Sequence, residues 1–120
     1  MVILTPANVQ IAELLKGADP TGGFVDYSTF DEAIVQKLIS NATDYIYLGV
    51  DNENTVPETG VGRPSVRLES KLTFTEGLFV LDLRHLPVGC GTWPAFWTVG
   101  LGKWPSEGEI GMQFQTTFNN

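Results

Sequence analysis

Between Ser65 and Thr75, apolar and polar residues take turns. Val66, Leu68, Leu72 and Phe74 alternate with Arg67, Glu69, Thr73 and Thr75. Successive side chains on a strand point to opposite faces, so this period of two predicts extended chain with one side covered. Shorter strand signals stand at residues 45–50 (YIYLGV) and 95–99 (AFWTV). Residues 77–83 (GLFVLDL) are a nearly unbroken apolar run, as in a strand covered on both faces. Thirteen glycines and seven prolines punctuate these runs. Such frequent turns favour a mostly β chain over a helical bundle. With 42% hydrophobic and 18% charged residues the chain is globular rather than disordered. Its 120 residues suffice for one domain with a modest core.

Helical signals are confined to the first third. Residues 7–16 (ANVQIAELLK) read as a short helix, with Asn8 as cap and Gly17 as stop. Thr29 and Glu32 have capping-box spacing, which predicts a helix over 30–39 with Ala33, Ile34, Lys37 and Leu38 near one face. Residues 19–23, 51–62, 87–91 and 100–108 read as loops, and 109–118 as a final strand. No internal repeat or linker is visible.

Charge and composition exclude several functions. The net charge is −7, and the seven Lys and Arg are scattered singly. Nucleic acid needs a positive footprint, so it is not an expected partner, and neither is an anionic membrane. The first twenty residues lack a basic start and an unbroken apolar stretch, so no signal peptide or membrane span is read there. Cys90 is the one cysteine, which precludes an internal disulfide. There is no Gly-x-Ser-x-Gly, and Cys90 has no identifiable base, so serine and cysteine hydrolase chemistry lack support. His85 has no Cys or His neighbours to share a metal and reads as structural. Asp51, Glu53 and Glu58 lack the glycine and spacing of an EF-hand and read as a solvated loop. No metal and no cofactor is expected. Asn41-Ala42-Thr43 is a glycosylation sequon, relevant only to a secreted chain.

Four ordered blocks carry a family resemblance. The first is Asp19-Pro20-Thr21-Gly22-Gly23-Phe24-Val25-Asp26-Tyr27, and the second is Gly62-Arg63-Pro64-Ser65-Val66-Arg67-Leu68-Glu69-Ser70. The third runs from Gly77 through Leu83 to Arg84-His85-Leu86-Pro87. The fourth is Cys90-Gly91-Thr92-Trp93-Pro94-Ala95-Phe96-Trp97, followed by Trp104-Pro105-Ser106-Glu107-Gly108-Glu109-Ile110. Together, across residues 17–110, they resemble glycoside hydrolase family 16, in its fungal endo-β-1,3(4)-glucanase or laminarinase form. The resemblance implies an all-β fold, here a partial β-sandwich jelly roll of the concanavalin-A-like glucanase kind with short helical segments near the N-terminus. It divides the chain into an extension with a short helix at 1–16 and a truncated domain at 17–120. It also implies a cleft for β-glucan and retaining hydrolysis by two glutamates.

In that family the catalytic strand reads Glu-Ile-Asp-Ile-(Ile)-Glu. Alternating side chains put its acids on one face, with any inserted residue absorbed as a bulge. In retaining enzymes the two carboxyls stand about 5 Å apart. One attacks the anomeric carbon while the other protonates the leaving oxygen. By resemblance Glu109 is the nucleophile. The middle aspartate is replaced by Gly111, and the acid/base position falls on Gln113, or on Phe114 if a bulge intervenes. No Asp or Glu follows Glu109 in the sequence, and Glu107 is the nearest spare carboxylate. The chain is shorter than domains of this family. Gly22 stands where a histidine is common, and Cys90 resembles a cysteine whose partner lies elsewhere. The family is usually secreted, and the compartment of this chain is left open.

Trp93 and Trp97, four apart, are expected to share a strand face, either as sugar platforms or as core. Trp104, in a Gly/Pro loop, is a candidate exposed ring. Arg67 is a candidate for sugar hydroxyls, though a pairing with Glu69 is equally natural. The resemblance implies a β-glucan hydrolase segment with impaired or absent activity. The alternatives are a non-catalytic β-glucan-binding module and a truncated fragment without function. Missing strands leave open edges, so self-association through them is also expected.

Overall fold

The alternation after Gly62 becomes two short strands rather than one long one. The computed structural model describes residues 12–14, 16–89 and 91–113. Within it Arg63–Ser65 (β6) and Leu68–Ser70 (β7) are separated by Val66 and Arg67. Val66 packs on the core, and Arg67 turns to the Asp19 carboxylate, 3.8 Å away. Two demands on consecutive side chains thus interrupt the ladder. Pro64 fits within β6 because only its carbonyl is needed, and it accepts from the Asp51 amide at 2.8 Å.

Two units are present, 1–79 and 80–120. In the first, Ala12–Leu14 (β1) pairs antiparallel with β7. Gly17–Ala18 (β2) pairs antiparallel with Val25–Tyr27 (β3), which pairs parallel with β6. The approach of β6 to β3 depends on Gly62. Its φ is +108°, and a Cβ there would run into the backbone of Phe24 and Val25. Between β2 and β3, Asp19 organises a loop. Its carboxylate accepts from the Thr21 amide (3.2 Å) and hydroxyl (2.6 Å) and from the Gly23 amide (3.0 Å). Burial pushes this carboxyl up, but the hydrogen bonds from Thr21 and Gly23 and the charge of Arg67 outweigh it and hold it below its ordinary value.

The capping box is formed. Thr29 caps the helix Phe30–Val35 (α1), its hydroxyl accepting from the Glu32 amide at 3.3 Å while Glu32 accepts from the Thr29 amide at 2.7 Å. The helix is shorter than the sequence predicts. Leu38 donates to the Ala33 carbonyl (2.7 Å) and Lys37 to that of Ile34 (3.1 Å), a Schellman termination with Lys37 left-handed at φ 58°. This turn brings Leu38 over Ala33 and leaves Ile34 exposed, which shortens the expected apolar face. Ala33, Leu38 and Ile39 are the buried apolar residues among those described. The chain then forms a hairpin of Ile39–Asn41 (β4) and Ile46–Leu48 (β5).

Other expectations are corrected. Residues 12–14 are a strand, not part of a helix, because pairing with β7 overrides the helix propensity of Ala, Glu and Leu. Residues 7–11 of that expected helix lie outside the described residues. Residues 72–75 and 77–83 form no strand, and Leu78, Val80 and Leu83 are exposed. Among the described residues no ladder partner lies beside this run, so its apolar pattern is uncovered. Residues 51–62 form the expected loop, in which the Asp51 carboxylate accepts from the Glu53 and Asn54 amides. No helix is long and apolar enough to cross a membrane among the described residues.

The second unit holds one hairpin-like pair. Ala95–Val99 (β8) and Glu109–Gln113 (β9) run antiparallel, with Trp97 opposite Gly111 and Val99 opposite Glu109. The final strand is thus present as far as Gln113, and residues 114–118 of the expected strand lie outside the described residues.

Candidate active site

β8 is rich in aromatic and β-branched residues, which suits an extended chain. The connection at 100–108 then doubles back. Ser106 donates to the Lys103 carbonyl (2.9 Å), Gly108 to that of Pro105 (3.0 Å) and Gly100 to that of Gly108 (3.3 Å). Glu107 staples the turn by accepting from the Gly102 amide at 2.8 Å. The nearest spare carboxylate is therefore already engaged in shaping the loop.

This turn brings the Trp104 indole onto the candidate nucleophile. Its Nε1–H donates to Glu109 Oε2 at 2.8 Å. The donor meets one oxygen, and the other, Oε1, faces the space above Gly111, where a Cβ would lie 3.1 Å from it. Directly opposed residues of an antiparallel pair share a face, as do residues two apart on a strand. Trp97, opposite Gly111, therefore lies on the Glu109 face, and a Cβ at 111 would stand 3.6 Å from the Trp97 Cβ. Gly111 leaves a gap between an exposed carboxylate and a half-buried indole. A carboxylate oriented by a donor, beside an aromatic wall, is suited to sit under a sugar ring.

The remaining sequence candidates fall elsewhere. Trp93 is 72% exposed and precedes β8, with Pro94 between. It does not share a strand with Trp97, because β8 begins at Ala95. Pro94 has no amide hydrogen to extend the ladder. Arg67 belongs to the first unit. Its side chain is 12% exposed, with Nη1 3.8 Å from Asp19 and Nη2 3.6 Å from Glu69. His85 is exposed. No group of three or more His, Cys, Asp or Glu among the described residues is placed to hold a metal. Cys90 and Phe114 lie outside the described residues. The sequence marks Trp104 as a candidate exposed ring, whereas the structure has it half-buried and turned to Glu109. The available signal was the wound Gly/Pro turn between two residues only five apart.

Known proteins share this arrangement of strands. The family model described as the XgeA-like catalytic GH16 domain matches residues 13–115. A probable endo-1,3(4)-beta-glucanase of Aspergillus fumigatus is 50% identical over 96 residues, which is 78% of this chain and 15% of the relative. Among solved structures, an elongating GH family 16 beta-1,3-glucosyltransferase is 40% identical with a TM-score of 0.82, covering 91% of this chain and 37% of the other. Laminarinase 16A from Phanerochaete chrysosporium, solved with beta-glucans in both donor and acceptor sites, is 35% identical with a TM-score of 0.85. That match covers 96% of this chain and 40% of the laminarinase. The chain thus spans a small part of its curated relatives and well under half of the solved ones. The strands described above are part of a jelly-roll β-sandwich. With the family model matching most of its length, the chain belongs to glycoside hydrolase family 16.

Proposed function

We propose that this chain forms the β-glucan-facing part of a family 16 glycosidase site with Glu109 at the nucleophile position, and that unaided it turns over β-glucan weakly or not at all. One observation carries the reading: the exposed Glu109 carboxylate is held by the Trp104 indole at 2.8 Å, on the face that carries Trp97. In retaining hydrolysis such a carboxylate attacks the anomeric carbon as the C1–O bond breaks, and the departing oxygen takes a proton from a second carboxylic acid. Water then cleaves the glycosyl ester. The proton-donor position holds Gln113, or Phe114 with a bulge, and an amide or a benzyl group has no such proton to give. General acid catalysis contributes about 10²–10⁴-fold, and that factor is missing from the leaving-group step.

The sugar class is supported by the beta-glucans bound to the solved laminarinase. Trp97 and Trp104 are the platforms nearest Glu109. A binding module without turnover is the second reading, favoured by the half-buried indoles of Trp97 and Trp104 beside an incomplete acid pair. Self-association through the open edges of the short sheets belongs to the same picture, and sedimentation over a range of concentrations tests it.

The decisive assay incubates purified chain with laminarin and lichenan and resolves products by size, because one solved neighbour is a transferase and longer products must also be sought. The expected result is no turnover, with retention on insoluble β-1,3-glucan that Trp104→Ala weakens. Cleavage abolished by Glu109→Ala would overturn the loss of turnover. Failure to bind glucan at all would overturn both readings.

A further inference from the structure

The β4–β5 hairpin presents the sequon Asn41-Ala42-Thr43 at its turn. Asn41 is the last residue of β4, paired with Ile46, and the Ala42 amide donates to the Tyr45 carbonyl at 3.0 Å to close the turn. Asn41, Thr43 and Asp44 are all exposed. Ile39, two residues earlier on the same face, is buried, so Asn41 lies just beyond the edge of the core. The residue between acceptor and hydroxyl is alanine, not proline, as the sequon requires. No other Asn-x-Ser/Thr occurs in the sequence.

We propose that Asn41 is an N-glycan acceptor when this chain enters the secretory lumen. The donor is an oligosaccharide on a polyisoprenyl pyrophosphate. A bond forms between Asn41 Nδ2 and the anomeric carbon of the first sugar, the bond from that carbon to pyrophosphate oxygen breaks, and the amide loses one proton. The transfer takes place on the nascent chain, so the folded hairpin must then accommodate a bulky, hydrated group. Asn41 meets that demand: it lines an open hollow with Ile34, Lys37, Leu38 and Tyr47, and no ladder continues beyond it. This inference does not depend on the reading of Glu109.

The test is translation of the full chain behind a cleavable secretory leader in the presence of endoplasmic reticulum microsomes. Chain protected from added protease has by definition been translocated, whether or not it folds. The protected chain is expected to show a slower-migrating species that peptide-N-glycosidase F collapses, with deamidation at position 41. Asn41→Gln and Thr43→Val should abolish that species, and Thr43→Ser should retain it. Protected wild-type chain without the slower species, or a slower species that persists in Asn41→Gln, would overturn the proposal.

Discussion

The two units differ in what their side chains do. The first has a buried cluster of Ala33, Leu38 and Ile39, a helix capped at both ends and an ion pair between Arg67 and Asp19 that is largely withdrawn from water. The second has no buried residue among those described, yet it carries Glu109, Trp93, Trp97 and Trp104. Packing is concentrated in one and candidate chemistry in the other. Binding sites are commonly drawn from the less stable parts of a fold, where side chains remain open to ligand. A lone two-stranded pair is marginal in water, so β8 and β9 gain little from one another alone. The exposure of Leu78, Val80, Ile110 and Leu101 accords with a chain that spans 37–40% of the sandwiches it resembles.

The largest expected effect strikes the first unit. Leu38 is 3% exposed and packs with Ala33, so Leu38→Ala removes about a third of the side-chain carbon from a three-residue core. Such truncations in a core cost about 2–5 kcal/mol. Hydrogen exchange read by NMR should show amide protection lost around α1, β4 and β6, while β8–β9 is weakly protected before and after. Strong protection in β8–β9 that disappears with Leu38→Ala would break the contrast and make the two units one cooperative body.

Next come the helix ends. Thr29→Ala removes the cap hydroxyl and should cost about 1 kcal/mol by equilibrium unfolding. The same cap is sensitive to pH. Hydrogen bonds from Lys16, then from the Thr29 amide and hydroxyl, hold the Glu32 carboxyl at about 2, below its ordinary 4.5. A depressed carboxyl stabilises the fold fully above its unfolded value, and that contribution is lost as pH falls from about 4.5 through about 2. Lys16→Met should flatten most of this acid limb, and Thr29→Ala only a smaller part of it, because the Lys16 bond and the backbone amide remain. At the other end, Lys37 is left-handed, a conformation costing an ordinary residue about 1–2 kcal/mol. Glycine is relieved of that strain but loses more backbone freedom on folding. Lys37→Gly should therefore raise stability by about 0.5–1 kcal/mol, read as a shift in denaturant midpoint.

The sequence was most legible where local chemistry decided the structure. Thr29 and Glu32 form their box from two side chains and their own backbone, and the β8 strand follows its residue types. Legibility failed where a distant partner decided. Residues 12–14 look helical alone and become a strand only because β7 lies beside them. The run at 77–83 has a covered strand's composition, but its cover is not among the described residues. At the candidate site the family motif located Glu109, while the Trp104 donor depended on how the 100–108 turn winds. The spacing of Trp93 and Trp97 suggested a shared strand that Pro94 precludes.

The smallest expected change in stability is the most informative about the site. Trp104→Phe keeps an aromatic ring but deletes the Nε1–H that donates to Glu109 Oε2. Both partners are near the surface, so unfolding free energy should move by less than about 0.5 kcal/mol. Glucan retention should nonetheless fall several-fold, because the carboxylate loses the donor that fixes it beside Trp97, and Trp104→Ala should lower it further by removing the ring. Equal retention by Trp104→Phe and the parent would mean that the ring acts alone and that the hydrogen bond is incidental. A loss of stability rivalling that of Leu38→Ala would mean that Trp104 supports the fold, and the division of labour between the two units would fail.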